Sequence, residues 1–383
     1  MSGDAAGIRI EGLEKSFGSE QVLQEFDLTV EPGEFCVLIG PSGSGKSTVL
    51  KCIAGLFEPD GGRILVDGDD VTATPVNERG MGFVFQEFDE TLFPHMTVGE
   101  NVAFGLRQDD RDRSVAEREE RITEALELLA IPETRDDTPD ELSGGQQQRV
   151  ELARQLVREC EVMLFDDPLA DLDYKLQKRM ELELRRLHAD VGGTYLYVTH
   201  NQDQALKLAD KVVVIHDGRI EQVGPPLEVY EQPANAYVGR FVGDNNLLTA
   251  RVVDPGEDGT ATAETPVGTV TARAGNELDA GTEGVILVRP EDIALGADAS
   301  DVTNQFTAHP RDRTYTGEMT EFVFAVEGTD GEHEVQVIYP GNVQTEAFRT
   351  AEGVPLGWEA TDAVCFSRLS ASGETSVEDL QRF

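Results

Sequence analysis

The sequence has few cysteines and no long apolar stretch. Its four cysteines, Cys36, Cys52, Cys160 and Cys365, include no C-x-x-C pair. This excludes the usual spacing of metal ligands and disulfides and favours buried thiols in a reducing cytosol. No apolar stretch approaches the roughly 18 residues of a membrane-spanning helix, and the polar start Met1–Asp4 is unlike a signal peptide. We therefore expect a chain that is soluble by itself.

Basic residues are also scarce: 32 lysines and arginines stand against 73 aspartates and glutamates, a formal net charge of −41. Such a charge repels nucleic acid phosphates, so we predict no nucleic acid partner. The acids are scattered, as at Gln108–Asp110 and Arg135–Asp137. Because halophiles use strongly charged surfaces of this kind, we infer a salt-loving host. A stability maximum at low ionic strength would contradict that inference.

The length of 383 residues exceeds one ordinary domain and predicts two, each with its own core. Composition shifts near Phe241–Asn246, so we place the domains at residues 1–240 and 241–383. From about residue 88 to 160 the sequence changes to a strongly charged helical pattern, with a T-x-x-E capping box at Thr97–Glu100. This segment is predicted to be a helical insertion between strands.

A glycine-rich turn follows the apolar run Phe35–Ile39, and a helical pattern follows the turn. Strand, turn and helix in this order form a phosphate-binding loop when the turn has the pattern G-x-x-x-x-G-K-[ST]. The residues are Gly40, Pro41, Ser42, Gly43, Ser44, Gly45, Lys46, Ser47 and Thr48. Backbone N–H groups can face phosphate oxygens, Lys46 can bind the β- and γ-phosphates, and the Ser47 hydroxyl can bind Mg²⁺. The alternative is a glycine-rich turn without this role.

A second candidate anion site precedes the helical pattern Val150–Val157. Its residues are Ser143, Gly144, Gly145 and Gln146. In one interpretation Ser143 and Gln146 form a capping box and the glycines only shape the turn. In the other, the serine and the glycines at a helix N-terminus bind the far side of a γ-phosphate. The two interpretations are compatible.

Two carboxylates follow the apolar run Val162–Phe165, at the strand end where ligands bind in open α/β sheets. Asp166 can hold Mg²⁺ through water, and Asp167 can orient an attacking water molecule. A solvated acidic turn is the alternative. His200 follows a further predicted strand, Thr194–Thr199, which places it near the carboxylates, although a lone histidine is more often structural.

Two more candidates lie at the ends of β patterns. Phe17 belongs to a polar turn between the patterns at residues 8–10 and 22–30, and its ring can either stack on adenine or pack in the core. Gln86 ends the pattern Gly82–Gln86 with a neutral amide.

The first 240 or so residues resemble the ATP-binding subunit of ABC transporters, with six motifs in the family's order. These are the Walker A loop at Gly40–Thr48, the Q-loop glutamine at Gln86, the LSGGQ signature at Leu142–Gln146, the Walker B strand at Val162–Asp166, the D-loop at Leu172–Asp173 and the switch histidine at His200. The resemblance implies an α/β P-loop NTPase with a helical subdomain, which binds ATP and Mg²⁺ and hydrolyses ATP.

The resemblance also implies residue roles and partners. The catalytic residues would be Lys46, Gln86, Asp167 and His200, and the Mg²⁺ ligands would be Ser47, Gln86 and Asp166. Two copies would close head to tail, so that Ser143 and Gly145 of one cover the ATP on Lys46 of the other. Two transmembrane permease subunits would bind the pair, and an extracytoplasmic solute-binding protein would act with them. The chain is thus expected at the cytoplasmic side of the cell membrane, as a peripheral protein.

Several positions depart from the family pattern. Asp167 replaces the usual glutamate, and because its side chain is one methylene shorter we expect slower hydrolysis. The stretch Glu87–Pro94 is longer than usual, which indicates altered contacts with the membrane subunits. Phe17 replaces a common tyrosine and Asn201 a usual aspartate, and both changes look tolerable.

Beyond residue 241, short β patterns alternate with turns rich in glycine, aspartate and threonine, which predicts a small β-barrel. The patterns cover residues 247–253, 267–272, 285–289, 320–326, 333–339 and 363–366. Val288–Ile293 resembles a motif of the OB-like TOBE domain of importer ATPases. The acidic charge disfavours an oligonucleotide-binding barrel, so we expect dimer support or regulation. A truncation that left dimerisation, solute response and transport unchanged would contradict this role.

ATP hydrolysis that powers solute import is the function that the motifs favour. One alternative, a soluble ABC-type ATPase of DNA repair or translation, lacks support because no long coiled-coil insertion or paired ATPase domain is visible. The other is a nucleotide-dependent regulator of low turnover, suggested by Asp167. The stretch 201–246 and the motif Val288–Glu291 lean toward spermidine and putrescine importers, but iron, sugar, thiamine and phosphonate importers share them. Other chains select the solute.

Overall fold

The computed structural model describes residues 6–85, 92–107, 114–158, 160–170, 172–256, 258–328, 332–343, 353–371 and 375–380. The chain divides into two compact units, residues 1–226 and 227–383. This division lies earlier than the boundary at residues 240 and 241 that composition suggests, because the helical segment that ends at Phe241 groups with the second unit.

The first unit combines strands and helices in alternation. Its strands are β1 (Ile8–Phe17), β2 (Glu20–Val30), β3 (Phe35–Ile39), β4 (Gly61–Val66), β5 (Asp69–Asp70), β6 (Gly82–Val84), β7 (Val162–Asp166), β8 (Thr194–Thr199), β9 (Lys211–His216) and β10 (Arg219–Gly224). Its helices are α1 (Lys46–Ala54), α2 (Val98–Arg107), α3 (Val115–Leu128), α4 (Gly144–Leu156), α5 (Tyr174–Val191) and α6 (Gln202–Leu208).

A six-stranded sheet in the order β10-β9-β3-β8-β7-β6 organises this unit. Strand β3 runs parallel to β8 and β9, and β7 runs parallel to β6 and β8. Every residue of β3, β7 and β8 is buried, which explains their nearly continuous apolar sequences. Because parallel strands end at the same edge of a sheet, the segments that follow β3, β6, β7 and β8 begin at one edge.

A four-stranded antiparallel sheet, ordered β2-β1-β4-β5, packs on the same core. Ile10 and Phe26 from this sheet pack with Leu50 and Ile53 from α1, and each of the four is at most 2% exposed. The helix that follows the phosphate loop is therefore fixed by apolar contacts on its buried side.

Helices α2 and α3 pack against α4, within the segment predicted to be a helical insertion. At the start of α2, the Thr97 N–H donates to Glu100 Oε2 at 2.9 Å and the Glu100 N–H donates to Thr97 Oγ1 at 3.2 Å. These two bonds confirm the predicted capping box.

The second unit is mostly β-structure. Its strands are β11 (Asn246–Asp254), β12 (Thr260–Thr265), β13 (Gly268–Ala274), β14 (Glu283–Val288), β15 (Ala294–Leu295), β16 (Asn304–Tyr315), β17 (Met319–Glu327), β18 (Glu332–Pro340), β19 (Val354–Trp358) and β20 (Ala363–Phe366). Its helices are α7 (Pro226–Glu231), which begins at the boundary, α8 (Ala236–Phe241) and α9 (Val377–Leu380). A closed barrel, β11-β12-β13-β20-β14, shares one core with a five-stranded sheet, β15-β19-β16-β17-β18.

The sequence patterns predict the barrel but do not identify β12, β15, β16 or β19. Strand β16 is the clearest case, because most of its side chains are polar and partly exposed and Pro310 lies at a shift of register with β17. An exposed polar strand lacks the alternation that marks a half-buried one.

Burial of the thiols agrees with the expectation for three of the four cysteines. Cys36, Cys52 and Cys365 are buried, and Cys160 is half-buried. Burial raises the pKa of Cys52 and of Cys365 to about 11 and raises the pKa of Cys36 as well. Among the described residues, no helix is both long and apolar enough to cross a lipid bilayer.

Candidate functional site

The glycine-rich turn between β3 and α1 is closely enclosed by neighbouring backbone. A Cβ atom on Gly40 would lie 2.2 Å from the carbonyl oxygen of Ile215. Gly45 has a φ of +98°, and a Cβ there would lie 2.8 Å from Leu23 Cδ2. A larger residue does not fit at Gly40 because of the Ile215 backbone, whereas Gly45 is required chiefly by its left-handed backbone conformation.

Lys46 begins α1 and is directed back over the turn. Its Nζ donates to the carbonyl oxygens of Gly40 at 2.8 Å and Pro41 at 2.7 Å, and lies 3.5 Å from Ser44 Oγ. Burial lowers the pKa of Lys46, and the nearby carboxylates of Asp166 and Asp167 oppose that shift. The ammonium group is thus held within the curve of the loop, where a phosphate would bind.

Ser47 and Asp166 meet although they are far apart in the sequence. The Ser47 hydroxyl donates to Asp166 Oδ1 at 2.6 Å, and Asp166 is only 3% exposed. Burial raises the pKa of Asp166, and the hydrogen bond from Ser47 partly offsets this effect. Two of the three predicted Mg²⁺ ligands therefore lie together at the edge of the sheet.

Asp167 and His200 form a direct contact at the same edge. His200 Nδ1 lies 2.6 Å from Asp167 Oδ2, and the Thr199 hydroxyl donates to Asp167 Oδ1 at 3.2 Å. The Asp167 N–H donates to the carbonyl oxygen of Val198 at 2.9 Å, and its φ is +45°, an uncommon value for a residue other than glycine. Both carboxylate oxygens are thereby oriented, while the His200 side chain is 65% exposed.

The predicted second anion site lies at the start of α4. Both the N–H and the hydroxyl of Ser143 donate to Gln146 Oε1, at 3.0 and 2.9 Å. Ser143 and Gly144 are exposed, and a Cβ on Gly145 would meet nothing within 4 Å. These contacts form the predicted capping arrangement. Among the described residues, no hydrogen bond joins this group to the phosphate loop of the same chain.

The other predicted residues have different positions. Phe17 is 45% exposed and touches Phe57 edge-on, with ring centroids 5.3 Å apart, so it is a surface residue and not part of the core. Ser42 and Gly43 are exposed at the tip of the turn, and Thr48 is half-buried in the first turn of α1. Gln86 lies outside the described residues.

Three residues that the sequence analysis does not single out support the site. Thr199 orients Asp167, and its hydroxyl also lies 3.0 Å from Oε1 of the buried Gln204. The Gly218 N–H donates to the carbonyl oxygen of Ser44 at 3.2 Å. Thr199 could have been found, because it is the last residue of a predicted strand and directly precedes His200. Gly218 belongs to the turn between β9 and β10, which the sequence patterns do not identify.

The donor groups at this edge suit a nucleotide with magnesium. Ser47 and Asp166 offer a hydroxyl and a carboxylate, which are hard oxygen ligands. Within the part of the chain that the structure describes, no group of three or more His, Cys, Asp or Glu residues could hold a metal by itself. Mg²⁺ usually takes one or two ligands from protein carboxylates and the rest from phosphates and water.

Comparison with known proteins gives consistent similarities in both units. A family profile described as "ABC transporter" matches residues 23–170, and one described as "TOBE domain" matches residues 286–366. The spermidine/putrescine import ATP-binding protein PotA of Aliivibrio fischeri is 42% identical over 312 residues, which cover 82% of this chain and 83% of the relative. The protein of the same name from Vibrio cholerae is 41% identical and covers 84% of each.

Two solved structures extend the comparison. A dimeric bacterial ABC transporter cassette is 31% identical, with a TM-score of 0.53, and covers 57% of this chain and 98% of its own. A dimeric ATP-binding cassette in a post-hydrolysis state, bound to ADP and Pi, has the same identity and coverage and a TM-score of 0.52. These similarities confirm the predicted α/β P-loop fold and the C-terminal TOBE domain.

Proposed function

Because this chain belongs to the ATP-binding subunits of ABC transporters, we propose that it powers the import of spermidine, putrescine or a related polyamine. As a member of this family it is an ATPase. The support for the solute is the name of relatives that match most of the chain at about 40% identity.

One observation carries the proposed chemistry: the Asp167 carboxylate lies between His200 and Thr199, at the sheet edge where Lys46 crosses the phosphate loop. We assign Asp167 the role of orienting the attacking water and His200 the role of holding that carboxylate. Lys46 binds the β- and γ-phosphates, whose oxygens replace the loop carbonyls as acceptors. Phe17 has an exposed ring on which adenine can stack.

Mg²⁺ would be held by Ser47 and Asp166, with Gln86 as the third proposed ligand. The ion, when bound, neutralises charge on the β- and γ-phosphates. The hydrogen bond between Ser47 and Asp166 already places their oxygens side by side, so the protein needs little reorganisation to bind it.

A second copy of the chain would complete each ATP site. Ser143 and Gly144 at the start of α4 are exposed, as residues that meet the γ-phosphate on another chain must be. Support comes from the two similar cassettes, which are dimers. We propose a head-to-tail pair in which Ser143, Gly144, Gly145 and Gln146 of each chain cover the ATP of the other.

Mixing two inactive variants tests this arrangement. Lys46→Ala and Ser143→Arg each disable both sites of their own dimer, but a mixed pair contains one intact site and one with both defects. We expect mixing to restore about a quarter of the wild-type hydrolysis rate, since half of the pairs are mixed and each retains one site. Phosphate release is the measurement. If Ser143 serves the ATP of its own chain, no mixed pair has an intact site and mixing restores nothing.

The proposed partners are two transmembrane permease subunits and an extracytoplasmic solute-binding protein, with this chain peripheral on the cytoplasmic side of the membrane. Uptake of radiolabelled spermidine and putrescine by cells that lack this chain tests the solute. Wild-type chain should restore uptake and Asp167→Asn should not. Restored uptake of iron or a sugar without restored polyamine uptake would overturn the assignment of the solute.

Gly218 gives a prediction for the phosphate loop. Its N–H fixes the carbonyl of Ser44, its φ is +73°, and an added Cβ would lie 2.2 Å from the carbonyl oxygen of Val22. Gly218→Ala must therefore move the turn away from the loop, and we expect KM for ATP to rise about tenfold. Steady-state kinetics measure this change.

Gly68→Ala is the matched control for that prediction. Gly68 has a φ of +84° but nothing within 4 Å of an added Cβ, so its substitution adds the same kind of backbone strain without displacing a neighbour. KM should remain near the wild-type value. An equal rise in both variants would attribute the effect to strain alone.

A further inference from the structure

A cavity of about 470 Å³ lies in the second unit, beside α7 and the barrel strands β13, β14 and β20. Its charged lining residues are Glu231, Arg273, Arg289, Glu291, Asp292 and Asp362. We call this space the C-terminal cavity. Its volume falls within the range of small-molecule sites, and its walls carry charges of both signs.

Tyr230 holds two of these charged groups in place. The Arg289 guanidinium stacks on the Tyr230 ring, 3.5 Å from its centroid, and donates to the Tyr230 carbonyl oxygen. The Tyr230 hydroxyl donates to Glu291 Oε1 at 2.6 Å. Arg289 and Glu291 are thus already bound by the protein and form a rigid wall.

Arg273 and Asp292 have no such partner. Within the described residues, neither the Arg273 guanidinium nor the Asp292 carboxylate forms a hydrogen bond or an ion pair. Asp292 shares its wall with Asp362, and burial, together with the charges of Asp362 and Glu291, raises the pKa of Asp292. A cation placed beside these two aspartates would relieve their repulsion, and an anion beside Arg273 would supply the missing partner.

We propose that the C-terminal cavity binds a small zwitterion, with its ammonium group against Asp292 and Asp362 and its carboxylate on Arg273. Arg273 and Asp292 are not paired with each other, so each can bind a different charged group of one ligand. A planar guanidinium suits a carboxylate, which it can bind through two parallel N–H groups.

The charges of the walls disfavour the two symmetrical alternatives. A diamine would leave Arg273 without an anionic partner, and a diacid would bring a second negative charge to a wall that already carries four carboxylates. A ligand with one group of each sign supplies a partner to both Arg273 and Asp292.

A series of small probes on the full chain tests the proposal. Glycine, 4-aminobutyrate and 6-aminohexanoate vary the separation of the two charges, while putrescine and succinate carry two charges of one sign on a four-carbon chain. At constant ionic strength, calorimetry should detect at least one of the zwitterions with a Kd of about 1 mM or below, and neither symmetrical probe should bind within about tenfold of it. Equal or tighter binding of putrescine, or no binding of any zwitterion at that level, would overturn the proposal.

Variants locate the binding. Arg273→Gln and Asp292→Asn should each weaken zwitterion binding at least about tenfold. Arg251→Gln and Asp301→Asn change exposed charges outside the cavity and should leave it unchanged. Lys46→Ala should also leave it unchanged, so failure of the nucleotide site does not affect the outcome. If both cavity variants bind the zwitterion with wild-type affinity, the ligand binds elsewhere. If those variants misfold, the probe series on the wild-type chain alone decides the outcome.

Discussion

Replacing Asp167 with asparagine is expected to lower ATP turnover about a hundredfold or more, while the Kd for ATP changes by no more than about threefold. The substitution keeps the size of the side chain and removes the carboxylate that we propose orients the attacking water. Binding is spared because Lys46, and not Asp167, contacts the loop carbonyls where phosphate binds. Phosphate release and equilibrium ATP binding measure the two effects.

Asp203→Asn is the control for this experiment, because Asp203 is an exposed aspartate that pairs with Lys207 in α6. It should retain wild-type turnover. Turnover of Asp167→Asn within a few fold of the wild-type value would show that another group orients the water. A wild-type chain that hydrolyses one bound ATP and then stops turning over would instead favour the low-turnover regulator, which a single-turnover assay distinguishes.

Asp167→Glu asks a different question about the same position. The family's usual glutamate is one methylene longer, but in this chain both oxygens of the shorter acid are already placed, by His200 at 2.6 Å and Thr199 at 3.2 Å. A longer side chain cannot keep both contacts without moving the backbone, so we expect the substitution to reduce turnover. An increase in turnover would show that the shorter side chain of Asp167 slows hydrolysis and that the surrounding residues do not compensate for it.

Replacing Arg79 with alanine is expected to lower the free energy of unfolding of the first unit by about 3 to 5 kcal/mol. Arg79 is only 9% exposed, and its guanidinium donates to four backbone carbonyls. The acceptors are the carbonyl oxygens of Cys52 at 2.9 Å, Ile53 at 2.6 Å, Thr72 at 3.0 Å and Thr74 at 2.9 Å. Two of them, Cys52 and Ile53, belong to the last turn of α1, the helix that begins at Lys46. Without Arg79 the Ile53 carbonyl would lose its donor, whereas the Cys52 carbonyl would keep the N–H of Gly55 at 3.1 Å.

Thermal unfolding of the full chain measures this loss, as a decrease of about 10 °C in the midpoint of the first unit. Arg79→Lys should recover little of the lost stability, because one ammonium group cannot reach all the carbonyls that a planar guanidinium spans. Arg63→Ala removes an arginine that is 61% exposed and paired with Glu11, and should change stability by at most about 0.5 kcal/mol. Equal effects of Arg79→Ala and Arg63→Ala would rule out the proposed anchoring.

The parts of the fold that sequence could predict are those with local signals. Strands β3, β7 and β8 are fully buried and appear in the sequence as apolar runs. The turn Gly40–Gly45 is recognisable because its glycines are visible in the sequence one position at a time. The residues that follow these strands were therefore expected at one edge, and Lys46, Asp166 and His200 are found there.

The parts that sequence could not predict depend on contacts between distant segments. The family resemblance assigns Ser47 and Asp166 to one Mg²⁺, but neither segment specifies the direct hydrogen bond between these residues, which are 119 positions apart. The hydrogen bond from the Gly218 N–H to the Ser44 carbonyl likewise joins segments that are distant in the sequence. In the second unit, β16 pairs with β17 and β19 through its backbone while its side chains stay largely polar, so hydrophobic periodicity does not reveal it.

The burial of the cysteines has a practical consequence for following the motions of this ATPase. Thiol-directed labels react with the thiolate, and burial both shields Cys36, Cys52 and Cys365 and holds their pKa values above the neutral range. Replacing the half-buried Cys160 would leave a background with little reactivity. A fluorophore or spin label could then be attached at a single introduced cysteine near Ser143, where the distance between two labels would test whether two copies close on ATP as we propose.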